Sequence, residues 1–297
     1  MLLKETIKRV LGGNGTIKIM KPIKSMRLKN KSSKAYSIWK KNNSYKDIHK
    51  GKRCFILGNG PSLKDIDLSL LQDEFVFTVN NFSKVSGFEK VKPDYHLWID
   101  GAFFAIRTDM YYDMKDVMVN YQKMSKLNPV CFVPVDGYEF IKKHKLDKIL
   151  DIHYIYSIGS IEDININEEK CDISSFIPGM RNVVQYAIII ALYMGFDEIY
   201  LLGCDSTSIV TTINCALKQK NDEMHAYDND NTEKEISSLL QNWDMSDVFY
   251  DQYLLFLGYK KINEYCKKRN IKLVNCSSTT LISSIPREDI SSVLKRK

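Results

Sequence analysis

The sequence predicts an α/β protein built on an open, mostly parallel sheet. Three observations lead there. Short apolar runs of strand length alternate with helical stretches along most of the chain, and the first such run passes straight into a Gly-Asn-Gly turn. A length of 297 residues at 44% hydrophobic composition suffices for one full core but leaves two large domains cramped. In sheets of this kind, joined by right-handed crossovers, ligands sit beyond the carboxyl ends of the strands.

Cys54, Phe55, Ile56 and Leu57 make the first strand, a continuous apolar run suited to burial on both faces. Gly58 and Gly60 permit a sharp turn and close approach to a ligand, and Pro61 and Ser62 suit the first turn of a helix. A helix starting there would aim N–H groups and its positive dipole end at an anion. The loop lacks both the third glycine of the dinucleotide fingerprint and the Gly-Lys-Ser/Thr ending of a P-loop. Further strands are expected at 74–79, 95–100, 116–120, 130–134, 198–203 and 271–275. Asp67 is placed to cap a short helix to Leu71, and Asp136 another to His144. An apolar helix from Val183 stops before Gly195, and a long one over 246–269 closes on Lys267, Lys268 and Arg269. Residues 157–177 and 206–232 are polar and irregular, the second reading as a lid.

The net charge of +7 is unevenly spread. Residues 1–53 hold 16 Lys or Arg against the acids Glu5 and Asp47, or +14, while the rest carries 27 basic and 34 acidic residues, or −7. Leu2, Leu3, Ile7, Val10 and Leu11 recur at helical spacing beside Lys4, Lys8 and Arg9. This basic, partly amphipathic leader fits peripheral contact with an anionic inner-membrane surface as well as it fits a solvated extension. Charges break its apolar stretch, so it is no signal peptide, and its aromatics form no stacking module for nucleic acid. Seven scattered cysteines without a Cys-x-x-Cys pair read as reduced thiols of a cytoplasmic protein, and no apolar run is long enough to span a bilayer.

The predicted strand ends collect Asn59 and Ser62, Asn80 and Asn81, Asp100, and Asp205 with Ser206. An amide at Asn80, where a carboxylate would suit the ribose of NAD, disfavours hydride chemistry. Each asparagine alone is commoner as a turn residue; their joint placement points to a nucleotide or sugar. His225, within Met224-His225-Ala226-Tyr227, is the candidate base, an exposed loop histidine being the plainer alternative. Asp228 and Asp230 are weak candidates for a divalent ion, and no His or Cys pair has metal-ligand spacing.

Together, GNGPSL at 58–63 and GFDEIYLLGCD at 195–205, with an apolar helix before the second and HAYD at 225–228 after it, resemble two related families. These are the bacterial sialyltransferases of glycosyltransferase family 42 and the MptE-like family of motility accessory factors and hydroxymethylpterin diphosphokinases. The resemblance covers roughly residues 52–285 and implies a sialyltransferase-like variant of the nucleotide-binding (GT-A/Rossmann-like) fold. It implies donor contacts at Asn59, Ser62 and Asn80, and His225 as base for inverting transfer of a sugar, sialic-acid-like and CMP-activated, to a surface-glycan acceptor such as lipopolysaccharide or capsule. No cofactor is then required. Two departures stand out. Ser206, Thr207, Ser208, Thr211 and Thr212 occupy the stretch where the sialyltransferases place phosphate-binding tyrosines, and Asp100 stands where they carry an asparagine. The alternatives are a diphosphokinase using ATP and Mg²⁺, which would employ Asp228 and Asp230, and a non-catalytic glycan-assembly protein. The expected organisation is a leader at 1–50, a nucleotide-sugar domain at 51–285 with its lid at 206–232, and a helical tail at 286–297. The expected partners are donor and acceptor, with self-association allowed.

Overall fold

The structure, a computed structural model, describes residues 2–106, 113–162, 171–217, 225–226 and 243–296, with side chains at residue 13 and from 15 onward. Eight strands form one sheet: β1 (Arg53–Leu57), β2 (Phe75–Val79), β3 (Tyr95–Leu97), β4 (Val130–Pro134), β5 (Asp151–Ile158), β6 (Phe176–Pro178), β7 (Glu198–Leu202) and β8 (Lys272–Asn275). Their order is β6-β5-β4-β3-β2-β1-β7-β8, and the pairings are parallel throughout. From β1 the chain steps outward to β6 and then returns to lay β7 on the other side of β1. The topological switch point therefore lies between β1 and β7.

The helices are α1 (Leu2–Lys31), α2 (Ser33–Lys41), α3 (Met114–Ser125), α4 (Tyr138–Lys143), α5 (Val183–Tyr193), α6 (Ser208–Ala216), α7 (Met245–Lys268) and α8 (Ile290–Leu294). α5 brings the chain back to the switch point. Ten of its residues are buried, from Val184 to Tyr193, because it lies between the sheet and α7. It ends where Gly195 adopts φ +84°, a left-handed stop that other residues reach only with strain. Leu254, Tyr259 and Ile262 of α7 join Ile188 to Ile190 of α5 and Ile56, Ile199 and Leu201 of the sheet in the largest core. The opposite face buries Phe55, Leu57, Val76, Tyr200 and Leu202 under short 3₁₀ turns. Asp67 does cap the turn at Leu68–Leu71.

Several expected elements differ. Residues 116–120 lie inside α3 rather than a strand: Asp113 caps the helix, and Val117, Tyr121 and Met124 bury at helical spacing. The run Val117-Met118-Val119 imitates a strand only when the spacing beyond it is ignored. β5 was not foreseen, and it and β6 take up both ends of the stretch read as irregular at 157–177. Asp136 sits in a 3₁₀ turn and does not cap α4. After β1 the chain forms a five-residue 3₁₀ helix, Pro61–Asp65, not an α-helix. Of the stretch 206–232, residues 208–216 are helical as α6; 218–224 and 227–232 lie outside the described residues.

The N-terminal segment is built into the core. Trp39 of α2 has no exposed surface and meets Tyr156 and Phe176 edge-on. The buried Asn42 amide donates to the carbonyls of Tyr154 (2.7 Å) and Ile173 (3.1 Å). His49 packs on Phe75 and Phe196 and bonds the Tyr95 hydroxyl at 2.6 Å. At the other end, Val293 of α8 is buried and its carbonyl accepts from Arg53. Trp39→Ala should therefore cost about 3–5 kcal/mol in unfolding free energy by denaturant titration. A chain starting at residue 51 should lose cooperative unfolding, since it leaves the aromatic faces of β5 and β6 bare.

Candidate active site

The carboxyl ends of β1 and β7 approach each other so closely that neither loop tolerates side chains there. A Cβ on Gly58 would lie 2.3 Å from the Gly203 carbonyl oxygen, and one on Gly60 would lie 2.6 Å from the Asp205 carboxyl carbon. The two backbones are joined by Gly58 N–H to Leu202 O (2.7 Å) and Gly60 N–H to Gly203 O (2.8 Å). The glycines were expected to make room for a ligand; on the side where their Cβ atoms would stand, they make room for the β7 loop instead.

The anion at the start of the 3₁₀ helix is likewise the chain's own. Asp205 accepts the Ser62 N–H at 2.8 Å and a very short bond from the Ser62 hydroxyl, and both residues are almost fully buried. Burial raises the Asp205 carboxyl above the usual carboxylate range, against the lowering effect of the two Ser62 bonds. Ser62 thus serves as Asp205's partner and is not among the residues lining the cleft described next. Pro61 and Asp100 are not among them either; Asp100 caps a turn through the Ala102 N–H at 2.9 Å.

A cleft of about 230 Å³ opens above this clasp, lined among others by Asn59, Asn80, Asn81, Asn182, Ser206 and His225. The sequence-predicted Gly58, Gly60 and Asp205 contribute to its wall. The Asn59 amide donates to the Val79 carbonyl at 3.0 Å, which fixes its orientation, and its side-chain oxygen is buried without a hydrogen-bond partner among the described residues. The Asn80 side-chain oxygen is in the same condition. Asn80 itself adopts φ +49°, a conformation asparagine accepts more readily than most residues. Its turn is held by Asn120 of α3, whose amide donates to the Asn80 carbonyl (3.1 Å) and the Asn81 side-chain oxygen (2.9 Å). His225 is brought to the cleft by its neighbour, since the Ala226 N–H donates to the Asn59 carbonyl at 2.8 Å.

Sequence reasoning missed three contributions. Asn182 caps α5 through the Val184 N–H at 2.7 Å, so the positive end of this buried helix faces the cleft. Its Asn-Val-Val start was legible as a cap but not as a wall. Tyr259 of α7 also lines the cleft; burial holds its phenol neutral, as a hydroxyl. Asn275 and Thr280 both donate to the Cys204 carbonyl, at 3.2 and 3.0 Å, bracing the β7 loop from beyond β8. Of the hydroxyl residues in the stretch after β7, Ser206, Thr207 and Ser208 face the cleft, while Thr211 and Thr212 are buried in α6. Among the described residues no group of three or more His, Cys, Asp or Glu side chains is placed to hold a metal ion. Asp228 and Asp230 lie outside the described residues.

An open parallel sheet with a polar cleft at its switch point is the arrangement in which α/β proteins of this class hold their ligands beyond the carboxyl ends of the strands. The chain belongs to the 6-hydroxymethylpterin diphosphokinase MptE-like family, whose model matches residues 29–210. No curated protein matches the sequence. Among solved structures it is similar to the sialyltransferase CstII from Campylobacter jejuni, determined with the substrate analogue cytidine-5'-monophosphate, at 20% identity and a TM-score of 0.44 over 80% of this chain and 85% of that one. It is also similar to the MAf glycosyltransferase from Magnetospirillum magneticum AMB-1, at 14% identity and a TM-score of 0.44 over 85% of this chain but 38% of the other.

The clasp yields its own test. Asp205→Ala orphans the buried Ser62 N–H and hydroxyl and should destabilise by roughly 1–3 kcal/mol per group, whereas Asp205→Asn should lose less. Gly60→Ala should destabilise strongly, because its methyl would meet Asp205 and the Gly203 carbonyl. The raised carboxyl adds a pH signature. Its stabilising contribution is complete below the unfolded value of ~3.9 and is lost as pH rises through the higher folded value. In denaturant melts across acid pH, Asp205→Asn should lack this falling component.

Proposed function

We propose that the protein transfers a sugar from a CMP-activated donor to a hydroxyl of a surface-glycan acceptor, with inversion at the anomeric carbon. The observation that carries this reading is the pair of buried amide oxygens on Asn59 and Asn80, two residues that line the switch-point cleft, which find no hydrogen-bond partner among the described residues. Orphaned buried acceptors cost stability unless a ligand satisfies them, and the N–H and O–H groups of a nucleoside or sugar are fitting donors. The start of α5 and the hydroxyls of Ser206, Thr207 and Ser208 suit the phosphate of such a donor. His225 stands as the base. The acceptor oxygen would form the new bond at the anomeric carbon opposite the leaving phosphate, its proton would pass to the imidazole, and the electron pair of the broken bond would stay on the phosphate oxygen. The nucleotide reading also draws on the motifs GNGPSL and GFDEIYLLGCD, which meet at this cleft.

Family membership favours a second reading, diphosphoryl transfer from ATP to an alcohol with Mg²⁺, in which His225 would serve the same acceptor proton and Asp228 and Asp230 would hold the ion. Thermal shift separates the two. Saturation by CMP at about a hundred times its dissociation constant should stabilise by roughly 2.7 kcal/mol without Mg²⁺, and ATP should do nothing. Stabilisation by ATP with Mg²⁺ and none by CMP would replace glycosyl transfer with the kinase reading. On a working donor and acceptor, His225→Ala should slow turnover by about a hundred- to ten-thousand-fold with donor affinity unchanged. Parental turnover in that variant would remove His225 from the mechanism.

A further inference from the structure

We propose that the outward face of α1 docks on an anionic lipid bilayer. α1 carries two apolar stripes where a helix lying on a protein normally carries one. Ile17 and Leu28 are buried against the body of the molecule, with Met20 half-buried beside them. On the opposite side Ile19, Ile23 and Met26 are 44%, 41% and 62% exposed, at spacings of four and three that align them along one line of the helix. Helical geometry puts Lys18 and Lys29 on one flank of this outer stripe and Arg27 and Lys31 on the other, all of them exposed. No acidic residue occurs between Glu5 and Asp47.

The flanking charge selects the occupant. A second copy presenting the same face would bring cations against cations, and a nucleic acid would gain nothing from three exposed aliphatic side chains. An anionic bilayer satisfies both features: the stripe enters the acyl boundary while the flanking cations meet the headgroups. The face differs from the one expected at Leu2, Leu3, Ile7, Val10 and Leu11, whose side chains lie outside those described. Lys24 lies over the Tyr156 ring at 5.6 Å, near the carboxyl end of β5, and Arg27 and Leu28 border a groove with Val135 and Asp136 beyond β4. α1 therefore lies along the same edge of the sheet as the cleft, and docking would turn that edge toward the lipid. The proposal is independent of the reaction assigned to the cleft.

Sedimentation of the full chain with vesicles tests it. The parent should bind vesicles of equal parts phosphatidylcholine and phosphatidylglycerol, should release from them as salt is raised, and should ignore phosphatidylcholine alone. Lys18→Glu and Lys29→Glu should each weaken binding at least about fivefold, the loss expected for one basic residue near the headgroups. The triple variant Ile19→Ser, Ile23→Ser and Met26→Ser should abolish binding with the melting temperature little changed, because the three side chains are exposed and belong to none of the described cores. Failure of the parent to bind anionic vesicles overturns the proposal, as does unchanged binding by the triple variant. A parent dimer that the triple variant converts to monomer, with no vesicle binding by either, would assign the stripe to self-association instead.

Discussion

The molecule is organised around one carboxylate. Asp205, at the end of β7, holds the N–H and hydroxyl of Ser62, which follows β1 by a few residues and precedes Asp205 in sequence by 143. This clasp, with the glycine-to-glycine backbone contact beside it, fixes how far apart the two central strand ends stand. Everything that lines the cleft is referred to that separation: Asn59 and Gly60 on one loop, Cys204 to Ser208 on the other. A carboxylate so deeply buried would be costly alone; two charge-assisted bonds from one residue offset part of the loss of water, and burial still raises the carboxyl. Further bracing comes from Asn275 and Thr280, so the β7 loop is held from both sides.

With these polar groups engaged by each other, the cleft is left with a smaller set that is not. Asn81 is held by Asn120, and Asn120 in turn by the Ser83 hydroxyl at 2.8 Å. Behind them His96 is fully buried, bonded to the Thr78 hydroxyl at 2.7 Å, and desolvation lowers its imidazole to about 3, so it stays neutral and adds no charge beneath the Asn80 turn. Among the described residues the oxygens of Asn59 and Asn80 have no hydrogen-bond partner. Buried thiols play no part in this: desolvation raises Cys204 as it does Cys54. The site thus separates groups that hold the loops from groups on cleft-lining residues that none of the described residues satisfies.

Charge is separated along the chain in the same way. The basic N-terminal segment supplies α2 and the turn after it to the core through Trp39, Asn42 and His49, while Lys18, Arg27, Lys29 and Lys31 of α1 are exposed. Among the described residues no helix is long and apolar enough to cross a membrane.

Sequence alone determined what depends on neighbouring residues. The apolar run at 53–57, the Gly195 stop, the cap at Asp67 and the long helix over 246–269 were legible because strand burial, left-handed backbone and capping are local properties. The candidate positions Asn59, Asn80 and Asp205 were legible for a related reason, since polar residues just beyond apolar strands gather at one edge of a parallel sheet, whereas His225 was picked out as a loop histidine and only the fold brings it to the same cleft. Tertiary structure alone decided which of them line the cleft. Nothing near Ser62 or Asp205 in sequence announces that they satisfy each other, that Gly58 and Gly60 are small because β7 presses on them, or that Asn182 and Tyr259 complete the wall. Those choices depend on how close two strands come after more than a hundred intervening residues have folded, a distance that no local pattern encodes.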